Sequence, residues 1–207
     1  MKKISKFLIG ILGVLFFVAC EKNEDTDYTI LKSGQIVIKA YPFTSGDKII
    51  ISFWILADKI SIDWGDGTKE KFTNCCCTNA IYYFHEYPNN NFRTISILTE
   101  SIASFSVANG YVHEMRIGEC SKLEVLGCDS LSYYSNSLTV LGIDHCPALS
   151  YVRFGCTLSA TALDSLFEML PVNDNKYIKK TIVVGCNSGF NTCDTSIATS
   201  KGWTVYY

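Results

Sequence analysis

Five short stretches of the chain share one apolar spacing. Ile102-x-x-Phe105-x-Val107 is followed by Val112-x-x-Met115-x-Ile117, Leu123-x-x-Leu126-x-Cys128, Leu138-x-x-Leu141-x-Ile143 and Leu149-x-x-Val152-x-Phe154. Their leading residues are 10, 11, 15 and 11 positions apart. The residues at i+3 and i+5 alternate like the inward row of a strand, and the residue at i suits a corner that turns the chain into that strand. One such unit cannot bury its own apolar row. The units are therefore expected to stack as a solenoid in which each rung shields its neighbour. Asn109-Gly110, Gly118, Gly127, Gly142 and Pro147 interrupt the run and leave no room for helices between rungs. A plain β-meander is the alternative. Against it, Cys120, Cys128, Cys146 and Cys156 recur at or just after the expected strand ends, where a small buried side chain fits a corner.

The i, i+3, i+5 pattern resembles the L-x-x-L-x-L core of leucine-rich repeats. What precedes it reads as an address. Lys2, Lys3 and Lys6 form a basic start, and Phe7 to Val18 is an apolar run too short for a comfortable membrane span, as in a secretory signal. Phe17-Val18-Ala19-Cys20 resembles a bacterial lipobox, with Phe where Leu is usual; the resemblance implies cleavage before Cys20 and lipidation of its thiol. A simple secreted protein is the other reading. Residues 21–32 open with the polar, acidic Glu21-Lys22-Asn23-Glu24-Asp25-Thr26-Asp27, expected to be a disordered tether. Acidic residues just behind the lipidated Cys resemble the surface-export signal of Bacteroides-type lipoproteins, which implies an outer-membrane anchor facing the cell exterior. Residues 1–20 carry three Lys and no acid, so the mature chain has 15 basic and 20 acidic residues, a net charge of −5. There is no basic stripe, which argues against nucleic acid.

Nine cysteines follow Cys20. An oxidising envelope permits disulfides, and the odd count leaves one thiol over. Cys186 and Cys193, flanking a Gly-containing turn, are the most natural pair. Cys75-Cys76-Cys77 lacks metal-ligand spacing, with only His85 near, so no metal or cofactor is expected.

Residues 33–100 read as a β-sandwich. Strands are expected over Gly34–Ala40, Lys48–Ile55, Ile60–Trp64, around Tyr82, Phe84 and Tyr87, and over Arg93–Leu98. Gly65-Asp66-Gly67-Thr68 is a turn, with Asp66 capping it and Trp64 filling the core. Ile62-Asp63-Trp64-Gly65-Asp66-Gly67-Thr68, then His85-Glu86-Tyr87, then Thr94-Ile95-Ser96-Ile97 resembles the polycystic-kidney-disease (PKD) repeat, an immunoglobulin-like sandwich used as a spacer or binding module on surface proteins. The match covers about a third of the chain and departs from the family at the cysteine cluster.

Residues 101–157 hold the repeats, and residues 158–207 are expected to form an α/β cap over the open solenoid end. Ser159–Pro171 is the best helix, capped by Ser159 or Thr161, with Leu163, Leu166, Phe167 and Leu170 on one stripe. Lys179–Val184 is a strand; Cys193–Val205 reads as a short helix ending at Gly202, then a strand with Trp203. A PKD-like unit running into short leucine-rich units, closed by this motif, is similar to a recurring type of Bacteroidetes surface lipoprotein.

No catalytic set stands out. His85, His113 and His145 fall in different elements without a partner at motif spacing, and Asp164 and Glu168 lie on the solvent side of the helix. Binding has the better basis. The insertion Asp129–Asn136 lengthens one unit, and Tyr133, Tyr134 and Asn136 suit sugar or protein contact. A tolerated insertion with half-buried rings is the plainer reading. Asp129-Ser130-Leu131 and Asp164-Ser165-Leu166 match a short bacterial O-glycosylation pattern. The expectation is a lipid-anchored, non-enzymatic binding or adhesion module for host or bacterial surface protein or glycan. An accessory subunit of an outer-membrane uptake or assembly complex is the alternative, and a hydrolase the third.

Overall fold

The computed structural model describes residues 30–45, 48–73, 79–99, 101–128, 138–155, 157–175 and 177–207. The expected signal with Cys20, the tether up to residue 29, the Cys75-Cys76-Cys77 cluster, the insertion carrying Ser130, Tyr133, Tyr134 and Asn136, and Cys156 lie outside the described residues.

The chain is mainly β, in mixed sheets. The first segment contributes β1 (Gln35–Tyr41), β2 (Phe43–Ser45), β3 (Lys48–Ala57), β4 (Lys59–Asp63), β5 (Lys69–Thr73), β6 (Ile81–Glu86) and β7 (Arg93–Thr99). The repeat region contributes β8 (Ile102–Asn109), β9 (Tyr111–Ile117), β10 (Val125–Cys128), β11 (Val140–Ile143) and β12 (Tyr151–Phe154). The C-terminal part adds α1 (Ala160–Met169), β13 (Lys180–Val183), a single 3-10 turn at Phe190–Thr192, α2 (Ser196–Ser200) and β14 (Trp203–Tyr206). Each strand and helix expected from the pattern is present; β2 and β5 are additional.

Two sheets result. One runs β11-β9-β1-β7-β4-β5, the other β14-β13-β12-β10-β8-β3-β2, with β6 also paired to β3. Their inward rows share one core: Ile36, Ile38, Ile95 and Ile97 from the first, Ile51, Phe53, Ile55 and Phe105 from the second. Rings bridge the two sheets. Phe53 stacks on Trp64 at 5.8 Å, and Phe72 meets Tyr83 at 4.7 Å. Both sheets run on past residue 100, through β1 beside β9 and β3 beside β8. The pairing sense changes there, antiparallel before it and parallel after it.

The five rungs do form strands, and the rows stack in the expected phase, but not with the expected neighbour. Consecutive rungs alternate between the sheets. Leu126 of β10 lies beside Phe105 of β8 and Val152 of β12. Leu141 of β11 lies beside Met115 of β9. Each rung is thus shielded by the next but one. The cause is connection length. Parallel neighbours in one sheet need a crossover of about a dozen residues. Gly110 alone separates β8 from β9, and residues 118–124 separate β9 from β10. Such links cross to the facing sheet, about 10 Å away. Gly110, at φ +139°, makes the tightest of these crossings, in a region that favours glycine. The residue at i is a corner in later rungs, where Leu123 and Leu149 precede their strands, fully buried, each donating its N–H to the carbonyl three residues back, Cys120 and Cys146; Ile102 and Val112 instead lie within β8 and β9.

Beyond β11 the first sheet stops and helices replace its strands. β12, β13 and β14 continue the second sheet in parallel, with Val152 beside Ile182 and Ile182 beside Val205. The connections now hold α1 and α2, long enough for parallel crossovers. Ser159 caps α1, its Oγ accepting from Ala162 N at 3.3 Å, and Leu163, Leu166 and Phe167 enter the core. Trp203 is buried and donates through Nε1 to Pro171 O at 2.7 Å.

The Gly65–Thr68 turn is built as expected. Asp63 Oδ1 accepts from Gly65 N, and Asp66 Oδ1 from Thr68 N. The Lys69 ammonium, the Gly65 N–H behind it, lowers the Asp63 carboxyl. At Asp66, burial works upward and is outweighed by the Thr68 N–H and by His85, so this carboxyl is lowered too.

Candidate functional site

The parity of β3 decides which rings face water. Ile51, Phe53 and Ile55 are fully buried, so Ser52 and Trp54 point outward. In β6, Tyr83 is inward, which turns Tyr82 and Phe84 outward. The antiparallel register sets Trp54 opposite Tyr82 and Ser52 opposite Phe84. Three rings therefore lie side by side on the outer face of the second sheet. Trp54 and Tyr82 are 5.0 Å apart between centroids, Tyr82 and Phe84 6.0 Å. They remain 41%, 36% and 52% exposed, a contiguous apolar patch rather than scattered side chains.

A polar group underlies the rings. Ser52 is fully covered, and its Oγ accepts from Tyr82 Oη and from Asn109 Nδ2, both at 2.9 Å. Asn109 Nδ2 also donates to Tyr82 Oη at 3.0 Å. Asn109 ends β8 and pairs with Ser52 across the sheet. The phenol is held in one orientation by two partners on two strands. At the rim Lys48 and Glu86 neutralise each other as an ion pair.

The face continues flat onto the repeat strands. Trp54 is registered with Ser106, Ser106 with Gly127, and Gly127 with Arg153. A Cβ at Gly127 would meet Ser106 Oγ at 2.7 Å, so the small residue keeps this row low. A second aromatic group lies on the other sheet, where Tyr41 and Phe92 are 4.9 Å apart and Phe92 faces His113 at 6.4 Å.

Such a surface binds by stacking and desolvation, with fixed hydroxyl and amide groups to orient a ligand. The histidines are placed otherwise. His85 is half-buried, stacked on Trp64 at 5.0 Å with Nε2 2.8 Å from Asp66 Oδ2, while His113 and His145 are exposed. Asp164 accepts from Asp194 N at 2.7 Å, tying α1 to the segment before α2. Ser165 lies exposed in α1, its Oγ donating to Thr161 O. Among the described residues no three metal-ligating side chains come together.

Tyr133, Tyr134 and Asn136 lie outside the described residues. The expected Cys186–Cys193 pair is not bridged here: both are thiols, Cys186 exposed and Cys193 donating through Sγ to Phe190 O at 3.2 Å. The intervening 3-10 turn gives Cys193 a backbone acceptor instead. Trp54, Tyr82 and Phe84 were hidden in runs that read as core strands. Their signal is parity: in Ser52-Phe53-Trp54, the inward Phe53 commits its neighbours to the outer face.

No protein family, curated protein or solved structure matches this chain.

Proposed function

We propose that this chain is a lipid-anchored, surface-exposed binding module without enzymatic activity. In this reading Cys20 carries the lipid, a PKD-like sandwich and short leucine-rich rungs form one rigid body with an α/β cap, and the ligand is a glycan or a protein at the cell exterior. One observation carries the proposal: Trp54, Tyr82 and Phe84 lie exposed and adjacent over a fixed Ser52–Tyr82–Asn109 hydrogen-bond group. Rings left in water on a folded face are costly unless something covers them in use. Neutral polar groups beside stacked rings suit a sugar's alternating apolar faces and hydroxyls, so a neutral glycan is the first ligand class to test.

The test is an array of neutral oligosaccharides probed with the full chain in detergent, followed by titration of any hit. Trp54→Ala is expected to weaken binding about tenfold or more, since central aromatic anchors carry most of an interface's energy. Its ring is exposed, so the fold should survive, which circular dichroism checks. A hit whose affinity is unchanged by Trp54→Ala contradicts this site. Silence on the array together with a membrane protein that co-purifies would favour the accessory-subunit reading.

A further inference from the structure

Cys120 and Cys146 occupy the same place in successive turns of the coil. Each stands three residues before a buried corner leucine, Leu123 or Leu149, and that leucine's N–H closes a turn on its carbonyl. The strands after them pair in parallel with a constant offset, Leu126 beside Val152, and this offset also sets Cys120 over Cys146. Cys120 N donates to His145 O at 3.2 Å, directly joining the two corners. Adjacent strands lie about 4.8 Å apart, inside the Cα separation that a disulfide spans. Both side chains are nearly buried, at 4% and 3% exposure. The two thiols are in hydrogen-bonding contact, and Cys146 Sγ donates to Gly118 O at 3.8 Å.

We infer that Cys120 and Cys146 are a disulfide site that staples two turns of the coil when the chain matures in an oxidising compartment. The in-cell part of this inference rests on the surface-lipoprotein reading. The chemistry is thiol–disulfide exchange with the disulfide of a small molecule or thiol oxidoreductase. One thiolate attacks that disulfide, giving a mixed disulfide and releasing one thiol. The second cysteine then attacks the mixed disulfide, forming the Cys120–Cys146 bond and releasing the second thiol. Two protons and two electrons leave the cysteine pair, and the incoming disulfide is reduced to two thiols. In the closed fold both side chains are shielded by burial, so exchange takes place during folding, before the corner seals.

The experiment has two arms. In the first, the full chain is isolated from the membranes of cells that export it, denatured in iodoacetamide without reductant, digested and analysed by mass spectrometry. In the second, the reduced chain is refolded from denaturant in oxidised and reduced glutathione and treated identically. The expected product in both is one linked pair of peptides holding Cys120 and Cys146, lighter than the two thiols by two hydrogen atoms and lost in Cys146→Ala. Reducing that bond should lower the unfolding midpoint by about 5–10 °C. Linkage in the glutathione arm alone would uphold the site and count against export. Both cysteines recovered alkylated in both arms would overturn the inference and leave them as buried corner packing.

Discussion

Trp64→Ala is expected to destabilise the folded chain by about 4 kcal/mol, which equilibrium denaturation by urea would measure. The indole is fully buried between the sheets and lies flat against Phe53, with a 9° angle between planes. It also stacks on His85 at 5.0 Å. Its Nε1 donates to Glu70 Oε2 at 2.7 Å, and its carbonyl accepts from the buried Tyr87 Oη at 2.9 Å. Truncation opens a cavity at the junction of both sheets and leaves the Glu70 carboxylate without its donor. Since domains of this kind are stable by about 5–15 kcal/mol, one substitution removes a large share. A loss below about 1.5 kcal/mol would mean that the ring does not fill the core as described.

Leu126→Ala comes next, at about 3 kcal/mol by the same measurement. Leu126 is fully buried in the middle of the coil, with Phe105 on one side of it and Val152 on the other. Deleting its side chain breaks a continuous inward row that runs from Phe105 through Val152 to Ile182. Terminal rungs lose contacts on one side only, so Val205→Ala, at the far end of the same row and only half-buried, should cost clearly less. Equal costs at the two positions would contradict a stacked row with a middle and an end.

Much of this fold can be read directly from residue pattern. The phase of each rung is local information: alternating apolar residues mark the inward face, and Phe105, Leu126 and Val152 align as their shared spacing implies. Ser159, the stripe of Leu163, Leu166 and Phe167, and Gly202 at φ +80° mark helix ends by chemistry that needs no distant partner. The stacking partner is not local. It follows from connection length, and the single residue between Asn109 and Tyr111 already rules out parallel neighbours in one sheet. The regular similarity of all five rungs concealed that they belong to two rows. The aromatic face was obscured differently. Lys48-Ile49-Ile50-Ile51-Ser52-Phe53-Trp54-Ile55 is almost continuously apolar, which suits a strand buried on both sides as well as one carrying exposed rings. Only the packing of Phe53 against Trp64 and Phe105 settles the outward direction of Trp54. The pairing of Cys120 with Cys146 depends in turn on the same alternation, because it makes residues two rungs apart neighbours.

The alternation of rungs between two sheets is what places the helical cap and the cysteine pair. Interstrand nuclear Overhauser effects on the isotope-labelled chain test it most directly. Backbone contacts of Leu126 with Phe105 and with Val152, and of Leu141 with Met115, are the predicted result. Backbone contacts running instead from Leu126 to Met115 and to Leu141, each rung against the next in sequence, would contradict it.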